Sequence, residues 1–239
     1  MIRIIKTSDS QTHSIIQTDP QHEIEWHVQS YAHLKLIYQQ RCSNAQVITR
    51  MKFILEEGAL LELAPLIFDG DSVTLDITLE LKRSASAVVK GAYAMNKTQK
   101  SIIRVHQHHQ EAASESQVII NGVATDTAFI DYAGIITIDA LASQSVASQE
   151  NKSMLWSQKA RAQSIPSLEV KTNDVQCAHG SAIGYLNKEH IWYAQTRGMS
   201  AMQAQKLLLK SFFCQTLPDS IDSNIIEELT DKIIGSKEQ

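Results

Sequence analysis

Four prolines and nine glycines in 239 residues leave little material for tight turns, and dipeptides that close two-residue hairpins are nearly missing. Asn121-Gly122 is the one clear case and Asp69-Gly70 a second candidate. A chain rich in strands but poor in hairpins favours strands that pass to the next layer through open bends. The three cysteines, Cys42, Cys177 and Cys214, lie far apart and form no Cys-x-x-Cys pair, which argues for reduced thiols in a cytoplasmic protein. Cys42 and Cys214 read as buried thiols. No run approaches the roughly 20 apolar residues that span a bilayer. The opening Met1-Ile2-Arg3-Ile4-Ile5-Lys6 is broken by charge before a signal-peptide core can form, and reads as a short strand. With no Lys/Arg block and a net charge of -4, the chain offers no electrostatic footprint for nucleic acid. Nucleophile elbow, phosphate loop, dinucleotide fingerprint and His-Glu-x-x-His are all missing.

What is present is alternation. Val73-Thr74-Leu75-Asp76-Ile77-Thr78-Leu79-Glu80-Leu81 places an apolar side chain at every second position, the pattern of a half-buried strand. Similar runs recur from Ile2 to Ile138, among them His33 to Tyr38, Gln46 to Leu55, Leu60 to Ile67, Ala87 to Met95, Ile102 to His108 and Gln117 to Ile120. Phe129 to Tyr132 and Ile135 to Ile138 read as two further strands. So many short strands suit a sandwich, a barrel or a solenoid, and no strict repeat is legible by eye.

After Gly184 the texture becomes helical. Asn187 is placed to cap a helix over Lys188 to Thr196, with Ile191, Tyr193 and Ala194 inward and Gly198 as its stop. Ser200-Ala201-Met202-Gln203 has capping-box form and opens a helix to Cys214. A third helix beginning near Ser223 aligns Ile225, Ile226, Leu229 and Ile233 on one face. The expected division is a β core over residues 1–183 and a helical region over 184–239.

Two stretches invite chemistry. In Val175-Gln176-Cys177-Ala178-His179-Gly180 a strand would project Cys177 and His179 from one side, a thiol and an imidazole of the kind iron, zinc or an iron-sulfur cluster accepts. Two ligands are too few for a closed site, and a buried Cys beside a hydrogen-bonded His reads the same way. In His106-Gln107-His108-His109, alternation puts His106 and His108 together, with Glu111 close by, as a metal-dependent or carbohydrate-active β-helix enzyme would need. Solvated or hydrogen-bonded histidines are the commoner outcome.

From Val118 to Phe213 a longer series is collinear with a known family. It comprises Gly122-Val123, Asp126, Ala128-Phe129-Ile130 with Gly134-Ile135-Ile136, Gln149-Glu150-Asn151 before Met154-Leu155-Trp156, and Pro166-Ser167-Leu168-Glu169-Val170. Asp174 through Gly184, Ile191-Trp192-Tyr193 and Arg197-Gly198-Met199 complete it. This order resembles the SufB/SufD family of Suf-type iron-sulfur cluster assembly scaffolds. The resemblance implies a right-handed parallel β-helix followed by a C-terminal helical region, and a protein that changes no bond in a small substrate. It implies pairing with a SufB-like subunit or a second copy, and docking of the helices on a SufC-type ABC ATPase. Cys177-Ala178-His179-Gly180 resembles the SufD branch, which makes His179 the expected cluster ligand, Cys177 a supporting residue, and the cluster a transient cargo shared with the partner rather than a group held tightly by this chain alone. Asn151 stands where the SufB branch has a cysteine. The first hundred residues carry no motif of the family, whose N-terminal helical region is expected to be missing.

Overall fold

The computed structural model describes residues 2–5, 10–43 and 46–235. Met1 and Lys6 of the expected first strand lie outside the described residues. Every strand pairing among the described residues is parallel, and odd and even strands separate into two sheets of seven. One sheet runs β1 (Ile2–Ile5), β3 (Gln21–Val28), β5 (Gln46–Leu55), β7 (Ser72–Leu81), β9 (Lys100–His109), β11 (Phe129–Ile138) and β13 (Arg161–Val170). The other runs β2 (Ser10–Gln17), β4 (His33–Gln40), β6 (Leu60–Ile67), β8 (Ser86–Met95), β10 (Glu115–Ala124), β12 (Ser145–Leu155) and β14 (Val175–Tyr185). The chain thus winds as a two-sheet parallel β-solenoid, as expected for a parallel β-helix.

The repeat is loose, which is why it escapes inspection. Register partners are Ile2↔Glu25 in the first turn, Ser72↔Lys100 in the middle and Phe129↔Arg161 at the end, so the period stretches along the chain. What recurs is a corner. Tyr31, Gly58, Ser84, Ala113 and Gln144 all have positive φ, and each is followed by a buried small residue: Ala32, Ala59, Ala85, Ser114 or Ser145. The corners stack through backbone bonds, Tyr31 N–H to the Glu57 carbonyl at 3.0 Å, Gly58 N–H to Arg83 at 2.9 Å and Ser84 N–H to Ala112 at 3.0 Å. A left-handed conformation costs a non-glycine residue roughly 1–2 kcal/mol, and the ladder of corner bonds offsets it.

Inward positions of β3 to β11 build one apolar column that includes Trp26, Leu36, Phe53, Leu79, Val89, Tyr93 and Tyr132. The even sheet also buries the part of its outer face that lies under the helices. There Ala64, Leu66, Phe68, Ala92, Ala94 and Val123 meet Leu209 and Phe213 of α2 (Ala201–Cys214), Leu217, Ile221, and Leu229 and Ile233 of α3 (Ser223–Ile234). Alanine on the sheet lets the helices approach, and each buried leucine, isoleucine or phenylalanine of the helices contributes roughly 2 kcal/mol. Polar straps fix α3. Arg41 pairs with both carboxylate oxygens of Glu228, at 2.5 and 2.8 Å, while stacked 4.1 Å from the Phe68 ring, and Lys232 donates to the Phe68 carbonyl.

Several expectations are revised. Asn121-Gly122 is no turn but the middle of β10: Asn121 faces outward under the helices and donates to Thr216, and Gly122 lies against Tyr93. The two short runs around Gly134 are one strand, β11, and β12 and β13 are further strands whose polar inward residues, Ser145, Gln149, Asn151, Ser153 and Ser164 among them, hide their alternation. Cys42 is buried as expected, but Cys214 is exposed at the end of α2. The caps are as read: Asn187 and Ser200 open α1 (Lys188–Thr196) and α2, with the reciprocal capping box at Ser200 and Gln203. Helix α1 buries none of its residues, so Tyr193 is exposed rather than inward. Among the described residues no helix is long and apolar enough to cross a membrane.

Candidate functional site at the open end of the solenoid

Among the described residues no further strand pairs with the C-terminal turn. β13 and β14 are the edge strands of their sheets, so their inward side chains face an open end rather than another rung. Edge strands leave backbone donors and acceptors available to a further strand. Around this mouth stand the exposed apolar residues Leu168, Val170, Ile183 and Tyr185. Beside it a groove of about 660 Å³, lined by Trp156, Tyr185, Lys188 and Ile191 among others, opens between the last rung and α1, on which Trp192 is 70% exposed.

The structure puts Cys177 and His179 where alternation places them, on one side of β14. Their register partners are Ala147 and Gln149, both inward and buried. Cys177 packs with Val175 against Ile136, Ile138, Ala142 and Ala147, and that burial pushes its thiol upward, so the neutral form dominates at pH 7. His179, one step further along, is exposed. Among the described residues no group of three or more His, Cys, Asp and Glu side chains is arranged to hold a metal ion.

Asn151 lies on β12, buried, with its Nδ2 donating to the Ile120 carbonyl at 2.6 Å. It is a satisfied interior amide in register with Ser181 of the edge strand.

His106 and His108 do share a face, their rings stacked at 5.5 Å and 7°. Each is engaged with the neighbouring rung, His106 Nε2 with Thr137 Oγ1 at 3.0 Å and His108 Nε2 with Asp139 Oδ2 at 2.8 Å, and Lys171 holds the other oxygen of Asp139. Burial, and then the neighbouring His108, lowers the His106 pKa. Glu111 is not with them: it pairs with Lys82 and accepts from Arg83 N–H. The pair is a structural ladder on the outer face, and the metal-dependent enzyme reading loses its third ligand.

The neighbours Gln107 and His109, unremarked in the sequence, point inward. His109 is fully buried between Ser114 and Ser116, at 2.8 and 2.7 Å, and burial pushes its pKa down to about 4. Ser116 donates to Gln107 Oε1 at 2.7 Å, and Gln107 Nε2 donates to Gln149 Oε1 at 3.1 Å. A polar chain thus crosses the core to the rung under His179. Polar residues at the inward positions of an otherwise apolar strand were its signal.

A family model described as "SUF system FeS cluster assembly, SufBD core domain" matches residues 4–212. Curated relatives agree. The iron-sulfur cluster assembly protein SufD of Bacillus subtilis (strain 168) is 31% identical over 104 residues, 44% of this chain and 24% of its own. SufD of Escherichia coli (strain K12) is 22% identical over 130 residues, 54% of this chain and 31% of its own. An iron-sulfur cluster assembly SufBD family protein of Mycobacterium bovis is 25% identical over 183 residues, 73% of this chain and 46% of its own. The chain therefore spans less than half the length of these relatives.

Proposed function

The chain belongs to the SufBD core-domain family of the SUF iron-sulfur cluster assembly system, and from that premise we propose that it is a non-catalytic, SufD-like scaffold subunit. In this reading the open end meets the corresponding end of a SufB-like subunit or a second copy. His179 then supplies an imidazole to a nascent cluster whose sulfur ligands come from the partner. The cluster is cargo, held while it forms and then handed on.

The observation that carries the reading is the position of His179: an exposed imidazole on the inward side of an uncovered edge strand, beside a thiol on the same side. A neutral imidazole nitrogen is a competent iron ligand. The apolar rim of Leu168, Val170, Ile183 and Tyr185 supports association there. The exposed face of α1 and the groove beside it support docking of a SufC-type ABC ATPase. Three unpaired cysteines suit a reducing cytoplasm.

The test is His179→Ala in the full chain, reconstituted with a SufB-like scaffold and a SufC-type ATPase, ferrous iron and sulfide. Circular dichroism and co-purification stay as in the wild type while cluster yield falls. An unchanged yield from the pure complex removes His179 from the role.

A further inference from the structure

The outer face of the odd sheet pairs its charges from rung to rung, with one exception. Strands β5, β7, β9, β11 and β13 carry the cations Arg50, Lys52, Lys100, Arg104 and Arg161. Arg50 meets Asp76 at 3.6 Å, Lys52 meets Glu80 at 2.9 Å and Arg104 meets Asp131 at 2.9 Å. Lys100 and Arg161 meet no carboxylate among the described residues, and both stand beside the same ring. Phe129 has Lys100 as its register partner on one side and Arg161 on the other. The Lys100 ammonium lies 5.7 Å from the ring centroid. Lys159, exposed in the turn before β13 and likewise without an ion pair among the described residues, adds a third cation. Asp126, in the corresponding turn one rung back, accepts the Lys97 backbone N–H at 2.7 Å and pairs with none of the three.

Thr127, Phe129, Gln158, Lys159 and Arg161 line a groove of about 670 Å³ at this corner. The lining holds cations and no carboxylate, in a chain whose net charge is -4. Gln158 also lines the groove of about 660 Å³ beside α1, so the two grooves meet at one side chain. A protein seated beside α1 therefore reaches the cations without leaving the surface. Every polar side chain in the lining is exposed. Water and salt screen each cation, and no buried polar group is there to fix a small anion in place. An extended acidic segment, by contrast, meets several cations at once. Charges at such a rim act on approach more than on grip, because their field reaches beyond contact by about a Debye length, roughly 8 Å at physiological salt.

We propose that Lys100, Lys159 and Arg161 form a landing surface for an acidic segment of the protein that docks beside α1, and that this contact sets how fast the two proteins associate. The inference rests on the reading that the α1 groove receives the ATPase, and adds to it the charge which that partner presents next to its apolar contact. Phe129, between the two strand cations, gives the carbon stems of aspartate and glutamate side chains an apolar floor.

The experiment follows association of the full chain with a purified SufC-type ATPase by stopped-flow fluorescence at low and at high salt. In the wild type the association rate falls steeply as salt rises. The double variant Lys159→Glu, Arg161→Glu slows association at low salt by roughly tenfold or more, flattens the salt dependence and leaves the dissociation rate within about twofold. Both side chains are exposed, so circular dichroism stays as in the wild type. Arg161→Glu alone shows part of the effect. Arg83→Glu changes the net charge equally from an exposed site at the other end of the strands, and its association rate stays within about twofold of the wild type. Trp192→Ala reports on docking itself and loses the complex. If the charge variants associate as the wild type does while Trp192→Ala loses the complex, the inference falls and the docking reading stands. If Trp192→Ala binds as the wild type too, both fall. A loss confined to dissociation, with wild-type salt dependence, or a single-stranded oligonucleotide held by the free chain through Arg161, likewise overturns the inference.

Discussion

A Cβ placed on Gly122 would stand 2.0 Å from Cε2 of Tyr93, its register partner on the neighbouring strand. Tyr93 is fully buried, and a ring enclosed on all sides has nowhere to move. Gly122→Ala should therefore destabilise the fold by about 3 kcal/mol, the upper part of the range for overpacking. Gly180 on the edge strand meets nothing within 4 Å, so Gly180→Ala should shift the denaturation midpoint by less than about 0.5 kcal/mol equivalent. Urea titration of both variants checks the contrast.

His109 makes stability fall in acid. Its folded pKa, about 4, lies below the unfolded value of about 6.5, so the unfolded chain binds the proton first. The contribution is complete above about pH 6.5 and is lost progressively toward pH 4, with an upper bound of about 3 kcal/mol from this group. Denaturation midpoints at pH 7.5 and 5 should differ in that direction, and His109→Gln should flatten the difference. An unchanged slope in the variant would assign it to other groups.

The cysteines should separate by reactivity. Cys214 is exposed, Cys177 is partly covered with its thiol pushed upward by burial, and Cys42 is buried. A thiol-reactive chromophore at pH 7.5 should label Cys214 first, Cys177 more slowly and Cys42 only on unfolding, an order that single Cys→Ser variants would assign.

Helix α3 should be held more by Arg41 than its ion pair alone suggests. Glu228 is 47% exposed at its side chain, so the pair itself is worth at most about 1 kcal/mol. Arg41 also covers the Phe68 ring. Arg41→Ala should cost more than Glu228→Ala, and the double variant should be no worse than Arg41→Ala by more than a few tenths of a kcal/mol. Thermal melts of the three proteins decide it.

How far the fold was legible follows from these same elements. The period-two alternation of β7 and the caps at Asn187 and Ser200 are local signals, and each stands where it was read. β12 and β13 were not legible as strands, because their inward residues include Ser145, Gln149, Asn151, Ser153 and Ser164, which interrupt the apolar pattern. Asn121-Gly122 misled for a related reason: its glycine answers the Tyr93 ring, a contact between residues far apart in the chain. The motif-bearing residues begin at Val118, whereas the family match begins at residue 4, since the early rungs carry alternation without distinctive chemistry.

Strand alternation by itself determined that Cys177 and His179 share a side, and helix capping determined where the tail begins, because both depend on neighbours a few residues apart. Only the tertiary structure decided that this side belongs to a rung with no further strand paired on it among the described residues, that Gln149 is the register neighbour of His179, and that His109 rather than His106 or His108 enters the core. Those outcomes turn on register between strands about thirty residues apart, as in Gln149↔His179, and no local pattern of side chains sets which rung is the last.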